Sequence, residues 1–112
     1  MSKRPKYGNK KTVVDGITFD SAKEARRWQE LKLLEKAGEI FNLERQVPFE
    51  LAPSVVLGGR RKPALRYVLD FKYWDRRLGK FVFEDTKGVK TSVFRIKQHL
   101  MASVHSIYIT LT

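Results

Sequence analysis

The stretch Leu65-Arg66-Tyr67-Val68-Leu69-Asp70-Phe71-Lys72-Tyr73-Trp74, with Phe81-Val82-Phe83-Glu84-Asp85-Thr86-Lys87 a short loop further on, decides how this chain folds. Aromatic and branched residues fill both runs, as they do in strands half-buried against a core. Asp75 to Lys80, with Arg76, Arg77 and Gly79, reads as the loop that joins them. If the loop is Arg76 to Gly79, Asp75 faces Lys80, Trp74 faces Phe81 and Asp70 faces Asp85. Side chains alternate along a strand, so Lys87 shares the face of Asp85, while Glu84 and Thr86 turn to the other side.

Upstream of this hairpin, Thr12-Val13-Val14 and Ile17-Thr18-Phe19 flank Asp15-Gly16, which supplies the positive φ angles of a tight hairpin turn. From Ser21 the period becomes helical, with Ala25, Trp28, Leu31 and Leu34 on one stripe and Gly38 as the stop. Gln46 to Leu51 alternates in polarity and reads as a strand, placed at a sheet edge because Pro48 has no amide to donate. Gly58-Gly59-Arg60-Arg61-Lys62-Pro63 reads as a flexible basic loop. Downstream, Thr91 caps a second helix with Val93, Ile96, Leu100 and Val104 at core spacing, and Ile107 to Leu111 forms a last strand. The expected order is hairpin, helix, three strands, helix, strand: an α/β fold with a mixed central sheet flanked by two helices. Residues 1–11 form a basic arm, and residues 12–112 one domain.

With 112 residues, 42% hydrophobic and 12% aromatic, the chain is long enough for one core and too short for two. No cysteine is present, which excludes disulfides, thiolate zinc sites and thiol nucleophiles. Basic residues at the start are not followed by an apolar run of signal-peptide or membrane-spanning length, which predicts a cytoplasmic protein with no membrane partner. Twenty-three Lys and Arg against twelve Asp and Glu give a formal charge of +11, which draws polyanions and makes nucleic acid the expected partner. The candidate phosphate contacts are Lys3, Arg4, Lys6, Lys10 and Lys11 in the arm, and Arg60, Arg61, Lys62, Arg76 and Arg77 in the loops.

Against that basic background the acids inside strands stand out. Asp70 and Asp85 lie among Leu69, Phe71, Val82 and Phe83, where aspartate is disfavoured. Opposed carboxylates repel and raise each other's pKa unless a cation lies between them. Paired carboxylates with open oxygens hold Mg²⁺ while leaving positions for water and phosphate, and Lys87 beside them suits an attacking water or a developing charge. The alternative reading is an ordinary surface charge cluster. Glu24 has two readings as well. It lies on the inward stripe with Trp28 and Leu31, but Ser21-Ala22-Lys23-Glu24 is also a capping box. Glu84 is a rival to Asp85 if the strand is bulged. Lys97 and Gln98 read as a solvated helix face, His99 and His105 as surface or partly packed residues, and Tyr67, Tyr73 and Trp74 as strand-face aromatics.

Asp70 followed across a hairpin by Asp85-Thr86-Lys87 resembles the PD-(D/E)XK signature of the restriction-endonuclease-like nucleases. More widely, Tyr7-Gly8-Asn9-Lys10, Phe19 to Ala25, Ala37 to Ile40, Gln46, Asp70-Phe71 and Glu84 to Thr91 resemble a family of small phage proteins of unknown function attributed to that superfamily. Leu69 stands where the superfamily's name has proline, and the second motif carries aspartate in place of glutamate. The resemblance implies a restriction-endonuclease-like fold with catalytic Asp70, Asp85, Lys87 and Glu24, and Mg²⁺ or Mn²⁺ held by Asp70, Asp85 and Glu24. The implied activity is DNA hydrolysis, structure-selective and serving phage recombination or replication in a bacterial host, with a homodimer cutting two strands. The rival functions are a non-catalytic nucleic-acid-binding module on a nuclease fold and a basic phage structural protein.

Overall fold

The computed structural model describes residues 10–86 and 89–112. The expected nucleic-acid contacts Lys3, Arg4 and Lys6 and the expected catalytic Lys87 lie outside the described residues. Strands β1 (Thr12–Val14) and β2 (Ile17–Phe19) form the opening hairpin, turned by Asp15 and Gly16 at φ 51° and 75°. Helix α1 (Ala22–Lys36) starts on Ser21, whose Oγ accepts the Glu24 N–H at 3.1 Å. It ends on a left-handed Gly38 at φ 76°, where Gly38 N–H reaches Glu35 O and Glu39 N–H reaches Leu34 O. That pair of bonds is the Schellman motif, and glycine adopts its left-handed residue without a Cβ penalty.

The central sheet has four strands in the order β3 (Ile40–Ala52), β6 (Leu65–Asp75), β7 (Lys80–Asp85) and β8 (Thr110–Leu111). The first three run antiparallel, and β8 pairs parallel to β7. A parallel neighbour needs a crossover, and helix α2 (Ser92–His105) supplies it. The register of β6 and β7 is the one read from loop length: Asp75 opposite Lys80 and Trp74 opposite Phe81. Strand β3 is an edge strand, where Pro48 costs no ladder bond, and it starts earlier than expected, at Ile40. Bulges between Phe41 and Glu44 and between Glu50 and Ala52 absorb its extra length.

Two cores lie along β6. Phe71 and Tyr73 join Val82 and Ile40 under Leu31 and Trp28 of α1. Tyr67 and Leu69 join Leu51 under Phe94 and Met101 of α2. Asp70 sits between the two halves. On α1 the inward stripe is as expected, apart from Leu34, which is 37% exposed at its margin. On α2 the expectation holds for Leu100, which packs against the core, and fails for the rest. Val93, Ile96 and Val104 are 61%, 61% and 52% exposed, while Phe94 and Met101 are buried. Phe94 and Met101 are seven residues apart and share a helix face. They carry more apolar area into the core than the valines do, and this sets the rotation of the helix.

Gly58 to Pro63 is not a loop. Strands β4 (Val55–Leu57) and β5 (Arg60–Lys62) pair across Gly58-Gly59, both at positive φ, so Arg60, Arg61 and Lys62 stand on a strand. Arg76 and Arg77 occupy the turn at the other end of β6. The eleven residues of that strand separate the two basic groups by about 35 Å at about 3.3 Å per residue, so the loop cations expected to contact phosphate stand in two separate places. No helix among the described residues is long and apolar enough to cross a membrane.

Candidate functional site

The centre of β6 collects the acids. Arg45 pairs with Phe71 and Val47 with Leu69, which sets Gln46 of β3 level with Asp70. The β6–β7 register sets Asp85 level with Asp70 on the other side. Gln46, Asp70 and Asp85 therefore form a row across three strands. Helix α1 brings Glu24 to this row, where Gln46 Nε2 donates to Glu24 Oε1 at 3.1 Å. Gln46 does so from a backbone φ of 54°, a conformation that costs a non-glycine residue about 1 kcal/mol or more.

At the Asp70–Asp85 position a side chain takes over from the ladder. Asp70 N–H donates to Asp85 Oδ1 at 3.0 Å, and Tyr67 O–H donates to Asp85 Oδ2. Asp85 is wholly buried, and its carbonyl accepts the N–H of Thr112, just past β8, at 3.0 Å. Asp70 is half-buried; its Oδ2 accepts both the N–H and the O–H of Thr86 at 3.0 Å. Its Oδ1 accepts no hydrogen bond among the described residues. The expectation that Thr86 faces away from the acids is therefore overturned, because β7 ends at Asp85 and strand alternation ends with it.

Glu24 is 4% exposed, and its pKa is pushed up to about 7. Burial is the main cause, followed by the negative charges of Asp70 and Asp20, against a smaller pull from the Asp20 main-chain amide and Arg45. Only half of the capping box is closed, since Ser21 takes the Glu24 N–H while the Glu24 carboxylate turns to Gln46. Arg45 lies over the Phe19 ring at 4.9 Å, and its Nε is buried with no hydrogen-bond partner among the described residues.

Glu84, next to Asp85, has a different environment. Arg27 Nε and Nη2 donate to its two oxygens at 2.6 and 2.8 Å, and Tyr73 O–H donates to Oε1 at 2.8 Å. This bidentate bond raises the Arg27 pKa above its ordinary value, and burial first, then Glu84, raises that of Tyr73. The sequence reading of Tyr67 and Tyr73 as strand-face aromatics does not reach these carboxylate partners. The available signal was that a buried tyrosine hydroxyl needs a partner, and Tyr67 and Tyr73 alternate with apolar residues in a strand facing two acids.

Asp70 and Asp85 are thus brought together, with Glu24 close enough for Asp70 to raise its pKa. Among the described residues no three His, Asp or Glu side chains are grouped so as to hold a metal ion. His99 and His105 stay on the surface, where His105 Nε2 lies 2.6 Å from Glu50 O and the ring lies edge-on to Phe49. Lys97 and Gln98 are half-buried, more so than a solvated face would be. A depression of about 570 Å³ lies elsewhere, lined by Asp15, Gln29, Lys32, Leu33, Glu35 and Lys36, and none of the central acids borders it.

A family model described as "Protein of unknown function (DUF1064)" matches residues 4–111. The chain belongs to DUF1064. The match spans α1, the whole central sheet and both candidate aspartates, so the site is a feature of the DUF1064 domain and not of an appended segment. No curated protein and no solved structure matches the chain.

Proposed function

We propose that this DUF1064 protein is a metal-dependent DNA endonuclease of restriction-endonuclease-like fold, with its site at Asp70, Asp85 and Glu24 and with Lys87 completing it. The observation that carries the reading is the Asp70–Asp85 pair, level across a hairpin, with a buried Glu24 whose carboxyl is held partly protonated near neutrality. Gathering acids in this way raises the energy of the folded chain unless something positive binds there. Among the described residues Asp70 Oδ1 accepts no hydrogen bond, and the acids of the set suit a hard divalent cation such as Mg²⁺ or Mn²⁺. Asp70 and Glu24 would hold it with Asp85, and the ion would polarise the phosphate and acidify an attacking water.

The chain's own residues have distinct parts in this reading. Asp85, fixed by Tyr67 and the Asp70 N–H, keeps the end of β7 closed on β6. Thr86 holds Asp70 Oδ2 by two hydrogen bonds. Gln46 donates to the Glu24 carboxylate from β3 and so ties it to the row. Glu84 is a poorer candidate ligand than Asp85 because Arg27 already neutralises it. The mixed sheet with two helices and the basic charge agree with the superfamily resemblance of the Asp70 and Asp85-Thr86-Lys87 motif. A phage origin and a structure-selective role in recombination or replication rest on that resemblance, and dimerisation on the need of one site for each of two strands.

One observation favours a second reading, a non-catalytic nucleic-acid-binding module: no metal-ready group of three ligands exists among the described residues. The two readings part in one experiment. Plasmid, single-stranded and branched DNA are incubated with the protein, with and without Mg²⁺ or Mn²⁺. Metal-dependent cleavage that Asp70→Asn abolishes supports the nuclease; salt-sensitive binding with no turnover under any ion supports the module.

A further inference from the structure

The β4–β5 hairpin has no evident work in the fold. All six of its strand residues are exposed, including Val55, Val56 and Leu57 at 46%, 58% and 60%. Six exposed residues on a two-stranded hairpin contribute little to a core, and three apolar side chains left in water cost free energy. The cross-strand pairs are Val55 with Lys62, Val56 with Arg61 and Leu57 with Arg60. One face of the ribbon therefore presents Val55, Leu57, Arg60 and Lys62, and the other Val56 and Arg61, with Arg61 Nη1 donating to Ser54 Oγ at 3.2 Å. No acid lies between Leu51 and Val68, a stretch that holds Arg60, Arg61, Lys62 and Arg66.

We propose that the β4–β5 hairpin is a ribbon that lies in the major groove of double-stranded DNA, with Arg60 and Lys62 on the phosphates and Val55 and Leu57 against the base edges. It takes DNA as partner from the nuclease reading and adds how the duplex is held. Charge selects a polyanion: the chain carries +11, and every charged residue of the ribbon is a cation. Shape selects the duplex. A two-stranded ribbon fits the roughly 12 Å major groove of B-form DNA, whereas A-form RNA has a major groove too narrow for it. Single strands are bound on aromatic platforms, and the ribbon has no aromatic residue. Lys62 lies eight residues before Asp70, at most about 28 Å along an extended chain. That distance corresponds to about eight base pairs at 3.4 Å each, so one duplex reaches both ribbon and acids.

The test uses the full chain in EDTA, so that binding is read without cleavage. Probes are a 20-base-pair DNA duplex, its single strand, the equivalent RNA duplex, and vesicles of phosphatidylserine and phosphatidylcholine. Two triple variants remove equal charge: Arg60→Gln/Arg61→Gln/Lys62→Gln in the ribbon, and Arg26→Gln/Lys32→Gln/Lys36→Gln on exposed positions of α1. The ribbon triple is expected to lose at least about ten-fold more duplex affinity than the α1 triple, with an unchanged melting temperature. Its slope of log affinity against log salt should fall by about 2 to 3. Equal losses in the two triples would reduce the ribbon to bulk charge and overturn the proposal. Tighter wild-type binding to single strands, RNA duplex or vesicles than to the DNA duplex would overturn it too. If the ribbon triple binds and, with metal, cuts like wild type, the ribbon proposal fails and the nuclease stands. If binding depends on the ribbon but no ion gives cleavage, the ribbon stands and the hydrolytic reading fails.

Discussion

Glu84 and Asp85 are adjacent on one strand, both buried, and each accepts a hydroxyl hydrogen bond from a tyrosine of β6. Their surroundings differ in kind. Glu84 meets Arg27 in a bidentate ion pair that closes the α1 side of the sheet. Asp85 meets the main chain of a second acid, Asp70, which in turn raises the pKa of a third, Glu24. The first arrangement pairs an acid with a cation, whereas the second brings three acids near one another, with Arg45 pulling on Glu24. Burial alone does not mark a functional acid; the sign of what surrounds it is the better guide.

Activity gives the largest expected contrast. Asp85→Asn and Glu84→Gln are the same change in neighbouring residues, yet Asp85→Asn should cut DNA at least about 10²-fold more slowly, the scale of losing one preorganised electrostatic group. Glu84→Gln should cut within a few-fold of wild type. Single-turnover cleavage at saturating DNA, with circular dichroism to confirm folding, measures both. Equal losses would erase the distinction between the two sites.

Stability should reverse that order. Arg27→Ala leaves Glu84 buried without its cation, which should cost about 3 kcal/mol, the low end for breaking a buried pair because the Arg27 side chain is 24% exposed. Asp70→Asn removes a negative charge from beside Glu24 and should cost far less, or stabilise the metal-free protein. Urea unfolding of the two variants in EDTA tests this. A neutral Arg27→Ala would mean that the ion pair is no more than decoration.

The hairpin turns, the caps of both helices and the β6–β7 register were legible because each depends on a few adjacent residues: Asp15-Gly16, Ser21, Gly38, Thr91, and the loop Arg76 to Gly79. What failed depends on competition between distant parts. Two apolar stripes coexist on α2, and only packing chooses Phe94 and Met101 over Val93 and Ile96. Arg60 to Lys62 looked like loop because two glycines and a proline enclose it, although Gly58-Gly59 between Val55 to Leu57 and the basic run is also a hairpin signal. Within the site, spacing within the hairpin brought Asp70 and Asp85 together, but Gln46 carried no visible role. Its meaning comes from a helix and a strand meeting it in space.

The proton on Glu24 offers a smaller test. Folding raises this carboxyl from 4.5 to about 7, so the folded chain binds the proton more tightly than the unfolded one. The stabilising contribution is complete below about pH 4.5 and is lost as pH rises through about 7. Glu24→Gln keeps an uncharged side chain at every pH. In EDTA the variant should be more stable than wild type at pH 8, by on the order of 2 kcal/mol, with the gap closing toward pH 4.5. A gap independent of pH would show that Glu24 does not titrate in this range. Millimolar Mg²⁺ or Mn²⁺ should stabilise wild type and leave the variant almost unmoved, since a ligand bound only by the folded state raises stability by mass action.

Gln46 gives the smallest effect and the finest division. Its side chain clamps Glu24 from a left-handed backbone, so Gln46→Gly and Gln46→Ala both remove the clamp, while only glycine also relieves the φ of 54°. Glycine normally weakens a strand relative to alanine by about 0.5–1 kcal/mol. At this position the left-handed penalty of about 1–2 kcal/mol opposes that and should leave Gln46→Gly the more stable of the two by a few tenths to about 1 kcal/mol. Cleavage should fall equally in both, because the lost hydrogen bond is the same. If alanine proves the more stable, the backbone at Gln46 is not strained, and the placement of Glu24 owes nothing to it. If the two differ in cleavage, the backbone conformation contributes to the site beyond the side chain it carries.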